Sequence, residues 1–405
     1  MIKGFFNTTI QRKRFIYDVT ITCLSSALVI YCAVTQYAVL FLMLPFVALR
    51  VAYIYNVYLL SQTAVKEETG ELPSFSILIC SYNEKKENLD ALFKSIFEST
   101  VQPQEILLID DASTEPIVLD AVYKDRIRLI RNEQNLRLRG SQVKGIRALR
   151  PVDYVLFIDS DICFEDNVIY KCLRFIGSHA DGLIFGVRIS IKDFKDDYLN
   201  TFISTSYHTN YYKRLFESRF GVTLTCNGAF MFCDYKFLQN NVASFERETF
   251  FGKKLLTGND KSLTNLALQN GKSYTVPDTI IIHERFELQP YLKKMRRAFK
   301  TSIIYQVRAV FLRNVSPLVR IFSALDVLSF FVSVPLQVIF IIALFHLPYF
   351  YVYAAIYFLF LVVRNNKSVF KVISYGIFRL GFTILLYLVR LLTLFSINAS
   401  GWGNR

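Results

Sequence analysis

Several common signatures are missing from this chain, and each absence removes a class of function. Its seven cysteines are scattered, with no C-x-x-C or other metal-ligand spacing, so the sequence indicates neither a zinc module nor a disulfide framework. There is no Walker loop, which removes the commonest phosphate cradle of nucleotide hydrolases. No basic-aromatic motif points to nucleic acid, although Lys and Arg outnumber Asp and Glu by 47 to 33. No signal-peptide cleavage pattern follows the first apolar run, because a second run comes directly after it. Tryptophan is scarcest: beside 37 phenylalanines and 24 tyrosines the single indole is Trp402, within the closing stretch GWGNR.

What is abundant is apolar sequence at the two ends. A chain that is 53% hydrophobic yet 20% charged reads as a soluble domain and membrane segments in one polypeptide. Residues 15–35 carry one charge, Asp18, and residues 38–60 are interrupted by Pro45 and Arg50; each run has the length of a bilayer crossing. Lys3, Arg12, Lys13 and Arg14 precede the first run, whereas the connection at Gln36 and Tyr37 is uncharged. This hairpin, residues 1–60, is therefore expected to have both ends in the cytoplasm. Residues 321–345 and 348–363 read as a second hairpin, because their link lacks Lys and Arg while Arg364, Lys367 and Lys371 follow. Residues 372–395 suit an interfacial or re-entrant helix as well as a span, since Arg379 and Arg390 fall on nearly one helical face. Arg50 and Asp326 are charges inside apolar runs, and such residues either line a polar path or pair with each other. The net charge of +14 fits anionic headgroups beside these segments.

Residues 61–287 alternate short apolar runs with polar, helix-length stretches. "FSILIC" at 75–80, "EILLID" at 105–110 and "YVLFID" at 154–159 suit buried parallel strands of an α/β domain. Each run ends in polar residues: Tyr82, Asn83 and Glu84 after the first, Asp110 and Asp111 at the second, Asp159 and Asp161 at the third. In an open parallel sheet, ligands bind outside the carboxyl ends of the strands, so these clusters are expected to meet at one rim. Singly, each also reads as a turn or a helix cap. Two carboxylates one residue apart can instead hold a divalent ion against a diphosphate.

The ordered set "SYNE", "IDDAS", "IDSD" and, about a hundred residues later, "TGND" resembles the motifs of family 2 glycosyltransferases. That resemblance implies a GT-A α/β domain, inserted between transmembrane helices in an integral membrane protein, and inversion at the anomeric carbon. With "TVPDT" and "GWGNR", the layout resembles the processive polysaccharide synthases of the hyaluronan and type 3 capsule branch. The implied donors are UDP-sugars, the acceptor is a growing polysaccharide, and the cofactor is Mg²⁺ or Mn²⁺. The implied location is the cell membrane, multi-pass, with the catalytic domain cytoplasmic and export through the spans. Two alternatives stay open: a single-addition enzyme acting on a lipid-linked acceptor, and a catalytically silent scaffold or export subunit.

The same resemblance implies roles. Tyr82, Glu84, Asp110 and Asp111 belong with the nucleotide, Asp110 and Asp111 as contacts to uracil; Asp159 and Asp161 hold the metal; and Asp260 is the base for the acceptor hydroxyl. Asn259 stands where the family has an acid, which implies a lower proton affinity for Asp260 than beside a second carboxylate; as a local reading, Gly258-Asn259-Asp260 is a turn capping a helix. Cys226, Asn227 and Gly228 fall at the acceptor segment, Cys226 also reading as a small core residue. Arg137, Arg139 and Lys144 are candidates for a phosphate contact, Arg139 being carried in the nucleotide set. The family's Gln-x-x-Arg-Trp falls on residues 295–299, where Phe299 replaces the tryptophan and Arg297 lies one residue out of register. The surrounding basic stretch, 288–315, reads as amphipathic interfacial helices whatever its chemistry. Trp402 and Arg405 match a gating segment, 396–405, that closes over bound nucleotide in the family. The alternative is a membrane-interface tryptophan at a frayed tail.

Overall fold

The computed structural model describes residues 43–62, 71–191, 197–283, 285–312, 314–345 and 369–395, with isolated helical positions between 19 and 34. The expected second stretch of the C-terminal hairpin, 348–363, the closing segment with Trp402 and Arg405, and most of the first run lie outside the described residues. The chain divides into two compact units, one of Met1–Lys66 with Ala324–Leu392 and one of Glu67–Ser323 with Thr393–Arg405.

The larger unit is built on an eight-stranded sheet of order β3-β2-β1-β4-β7-β6-β10-β5. Its strands are β1 (Phe75–Ser81), β2 (Ile106–Asp110), β3 (Arg128–Arg131), β4 (Tyr154–Ile158), β5 (Ile162–Phe164), β6 (Gly182–Ile191), β7 (Phe230–Asp234) and β10 (Lys272–His283). The three apolar runs form β1, β2 and β4, and they pair in parallel as expected. Sequence reading did not anticipate β7, which runs antiparallel between β4 and β6. Alternate residues of the central strands feed two cores. Ile77, Ile79, Leu108, Leu156 and Ile158 face α2 (Lys86–Phe97) and α5 (Val168–Gly177). Leu78, Leu107, Ile109, Val155 and Phe157 face α4 (Arg137–Ala148), α7 (Tyr235–Arg247) and α8 (Asn259–Asn270). Covering both faces removes any need for polar alternation, which is why the runs are continuously apolar.

The remaining elements are α3 (Ala121–Lys124), α6 (Tyr198–Ser218), a small hairpin of β8 (Thr249–Phe250) and β9 (Lys253–Lys254), and α9 (Leu288–Phe311). The basic stretch is thus one helix. It buries Tyr291, Phe299, Ile303, Ile304 and Tyr305 and packs against α8, where Lys261 Nζ donates to Ala298 O at 3.2 Å and Thr301 Oγ1 at 2.9 Å.

In the smaller unit lie α1 (Leu44–Gln62), most of α10 (Pro317–Phe345) and α11 (Val369–Phe395). Pro45 sits at the second residue of α1, within the first turn where proline is tolerated. Two stretches, Pro317–Phe340 and Ser374–Phe395, are long and apolar enough to cross a membrane. Within this unit Tyr387 Oη donates to Phe331 O at 2.8 Å, and Arg390 Nη1 donates to Phe330 O at 3.3 Å while its guanidinium sits 4.9 Å over that residue's ring.

One close approach controls how α4 meets the sheet: a Cβ on Gly145 would lie 2.4 Å from Leu78 Cδ1. Gly145→Val is therefore expected to destabilise the domain by about 1–3 kcal/mol through overpacking, read as a lower denaturation midpoint in detergent.

Candidate active site

The sheet brings the carboxyl ends of β1, β2 and β4 together because their registers are nearly flush. Ser81 pairs with Asp110, and Ile79 with Ile158. Short hydrogen bonds then join the loops. Asn83 N donates to Ser113 Oγ at 2.9 Å, Thr114 N to Asn83 Oδ1 at 2.8 Å, and Ser160 Oγ to Glu84 Oε2 at 2.9 Å. Three non-glycine residues of this rim have left-handed backbones: Asn83 (φ 52°), Ala112 (φ 59°) and Arg137 (φ 62°). Such conformations cost of order 1–3 kcal/mol each and persist where surrounding contacts over-determine them. This strain is invisible in the sequence, since none of the three is glycine.

Asp110 and Asp111 are placed at the rim, but their carboxylates are engaged within it. Asp110 is buried and accepts from Ser113 N at 2.9 Å, from Ile117 N at 3.4 Å and from Arg131 Nη1. Burial alone would raise its pKa, yet the hydrogen bonds from Ser113, Ile117 and Arg131 outweigh burial and hold the carboxyl below its ordinary value. Asp111 Oδ1 accepts from Asn132 Nδ2 and Leu136 N, both at 2.8 Å. These hydrogen bonds shape the loop: a buried carboxylate takes the donors that the turn offers.

Asp159 stands immediately after β4, and its amide donates to Ala229 O at 2.9 Å. That bond extends the antiparallel β4–β7 ladder by one step and draws residues 227–229 beside the acidic pair. Asp161 is exposed. Its charge reaches Tyr207 of α6, whose hydroxyl burial pushes up to about 12, with Arg214 opposing and Asp161 adding. Next to the ladder, a Cβ on Gly228 would meet Asp260 Cβ at 2.9 Å, so only glycine lets this segment lie against the carboxylate that opens α8. Rim, acidic pair, Asn227-Gly228 and Asp260 thus form one connected surface. Cys226 behind it is fully buried, its amide donating to Thr264 Oγ1 at 3.3 Å, and burial pushes its thiol up to about 12 against the influence of Arg214 and Thr264. It is a core residue beneath the segment. Asn227 Nδ2 and Thr257 Oγ1 are buried atoms with no hydrogen-bond partner among the described residues.

Arg139, carried in the expected nucleotide set, is 2% exposed. Its guanidinium donates to Asn259 Oδ1 at 3.0 Å, Glu248 Oε2 at 2.9 Å, Phe245 O at 3.1 Å and Tyr305 Oη at 3.4 Å, and sits 4.7 Å over the Phe245 ring. Glu248 also accepts from Ser262 Oγ at 2.6 Å, Tyr305 Oη at 2.5 Å and Arg308 Nη1. Asn259 completes its set by donating Nδ2 to Gln142 Oε1 at 2.8 Å. The Asn259 amide is therefore built into a buried polar network that pins the start of α8. Phe299, expected at the acceptor, is 9% exposed on α9. Arg297 is half-buried there, its carbonyl accepting from Thr301 Oγ1 at 3.1 Å. Sequence reading missed two cations near Asp260. Lys261, the next residue, has its pKa lowered by burial, with the Asp260 charge opposing and Arg214 adding. Arg214 carried no motif that a single sequence reveals.

Removing one partner of the Arg139–Glu248 pair strands a buried charge, at a cost of about 3–5 kcal/mol. Glu248→Gln and Arg139→Met are each expected to destabilise by that amount in chemical denaturation, while the double variant loses less than the sum of the two.

Comparisons with known proteins agree with this geometry. Residues 76–240 match the family described as Glycosyl transferase family 2. The hyaluronan synthase of Streptococcus pyogenes serotype M1 is 27% identical over 269 residues, covering 62% of each chain. An N-acetylglucosaminyltransferase of Rhizobium sp. (strain N33) is 28% identical over 236 residues, 56% of this chain and 52% of that protein. These alignments span less than two thirds of the relatives' own length. Among solved structures, the mannosyltransferase PcManGT from Pyrobaculum calidifontis, in complex with GDP-Man and Mn²⁺, superposes with a TM-score of 0.54 at 15% identity, covering 88% of this chain and 98% of that one. The fold is accordingly GT-A-like, and residues 76–240, which match the family 2 glycosyltransferase model, include the strand ends that form the rim described above.

Proposed function

We propose that this protein is an inverting glycosyltransferase that moves a sugar from a UDP-sugar to a growing polysaccharide at the cytoplasmic face of the cell membrane. The observation that carries the reading is the contact of Asp260 with Gly228, one residue from the amide–carbonyl bond that joins Ala229 to Asp159. A base for an acceptor hydroxyl and a pair of acids suited to a diphosphate then share one surface. As the acceptor oxygen bonds to C1 of the donor sugar, the C1–O bond to the diphosphate breaks, UDP leaves, and the hydroxyl proton passes to the Asp260 carboxylate. Attack from the face opposite the leaving group inverts the anomeric centre.

Asp159 and Asp161 are hard oxygen donors of the kind that Mg²⁺ or Mn²⁺ accepts. Among the described residues no group of three or more His, Cys, Asp or Glu side chains gathers. Two carboxylates still suit an ion that completes its shell with phosphate oxygens and water. Bound there, the ion would neutralise the leaving diphosphate. The similar mannosyltransferase holds Mn²⁺ with its nucleotide sugar, which supports this assignment. The donor classes are UDP-glucuronic acid, UDP-N-acetylglucosamine and UDP-glucose, the second supported by the name of the Rhizobium relative. In this reading α10 and α11 anchor the domain in the bilayer and export the polymer, with the chain divided into segments 1–60, 61–287, 288–315, 316–363, 364–395 and 396–405. Trp402 and Arg405 close over the nucleotide. Indole and guanidinium suit sealing and diphosphate contact respectively.

The buried Phe299 favours a second reading: with no open aromatic face at that position, a single addition to a lipid-linked acceptor replaces processive extension. Product length separates the two, a high polymer against one added sugar. UDP release by detergent-purified protein, with Mn²⁺ and each donor singly and in pairs, tests both. Asp260→Asn is expected to lower the rate by about 10²–10⁴-fold, the usual contribution of a positioned base. Release unchanged in that variant would remove Asp260 from the mechanism, and no release with any donor would point to a silent scaffold.

A further inference from the structure

The β8–β9 hairpin has an unusual tip. Phe251 is 76% exposed and has φ 47°, and Gly252 beside it has φ 74°. A bulky residue in the left-handed region is costly and is held only by its surroundings. Here the ring packs edge-on against Phe250 at 4.5 Å while projecting outward, and Lys253 and Lys254 follow on the exposed return strand. Pairing of Thr249 with Lys254 and of Phe250 with Lys253 keeps the two-residue tip tight.

The hairpin is bolted to α9. Arg308 Nη2 donates to Thr249 O at 2.9 Å, and its Nη1 pairs with Glu248 at the hairpin's base. On α9 the exposed residues include Arg296, Val307 and Phe311, the last 78% exposed. Lys253 and Arg296 both act on Lys300, so the hairpin and α9 share one positive patch. The carboxylates nearby in sequence are already engaged, Glu246 by Arg147 and Glu248 by Arg139 and Arg308. Phe311 ends α9, and the apolar helix α10 begins at Pro317. Six residues reach at most about 20 Å, so Phe311, at the exposed end of α9, lies within that distance of the start of α10.

We propose that the β8–β9 hairpin is a membrane-surface finger: Phe251 enters the headgroup region of an anionic bilayer while Lys253, Lys254 and Arg296 are drawn to its net negative headgroup charge. An aromatic ring with a basic collar is the pattern that partitions to such an interface. The inference rests on the reading of α10 as a span. Through Glu248 it also ties bilayer contact to the network that pins Asp260.

The test uses the full chain in nanodiscs with brominated acyl chains, in a Trp402→Phe background that leaves one reporter at a time. Phe251→Trp is expected to be quenched at least about twofold more than Val118→Trp, an exposed loop position of the α/β domain, and to emit at shorter wavelength. Leu328→Trp, exposed within the Pro317–Phe340 stretch of α10, reports the span itself. Quenching at 328 without quenching at 251 overturns the finger alone; quenching at neither overturns the membrane reading and the finger with it. Adding Lys253→Gln and Lys254→Gln is expected to reduce quenching at 251 in phosphatidylglycerol discs and to leave it unchanged in phosphatidylcholine discs. Equal quenching in both lipids, with and without the lysines, overturns the role of anionic headgroup charge.

Discussion

A buried guanidinium has to find acceptors for its N–H groups, and in this protein that requirement organises the end of the domain that carries Asp260. Arg139 projects from α4 into a space bounded by the end of α7, the start of α8 and the middle of α9, and each contributes an acceptor: Phe245 O, Asn259 Oδ1 and Tyr305 Oη. Glu248 neutralises the charge and draws in Ser262 and Arg308. The first turn of α8 is held from several directions as a result, and Asp260 stands on that turn. With an acid at 259, two carboxylates and two arginines would share the site; the amide accepts from Arg139 and donates to Gln142 without adding charge.

Opposite this network, the antiparallel β7 does the corresponding work. By pairing with β4 it delivers Asn227, Gly228 and Ala229 to the strand end that carries Asp159, and Gly228 then touches Asp260. The surface is thus assembled from chain segments about a hundred residues apart by one extra ladder hydrogen bond and one missing Cβ. The left-handed residues at the rim show that the loops are held away from their local preference, as is common where a surface is shaped for a ligand.

Much of this was legible beforehand. The continuous apolar runs identified β1, β2 and β4 and their parallel pairing, because strands covered on both faces have no polar alternation to blur the signal. Polar strand ends marked the rim for the same reason that ligands gather there in open α/β sheets. The individual side chains were less readable. Asp110, Asp111 and Arg139, all in the expected nucleotide set, also hold internal hydrogen bonds, and a charged residue carries no mark in sequence that shows which protein partners the fold will give it. Phe299 looked like an open stacking face and is covered, since a helix reveals which face it buries only when its neighbour is known.

The sequence by itself determined the class of the domain, the order of its acidic clusters and the apolar helices that accompany it, because these follow from local composition and from period-two or period-3.6 patterning that any fold must respect. Only the tertiary structure decided which acids remain at the surface of the site and which are consumed by loops, where β7 inserts, and how Arg139, Glu248 and Asn259 meet across 120 residues of chain. Those outcomes depend on long-range hydrogen bonding and on the space left between packed elements, and neither is written in the neighbourhood of any one residue.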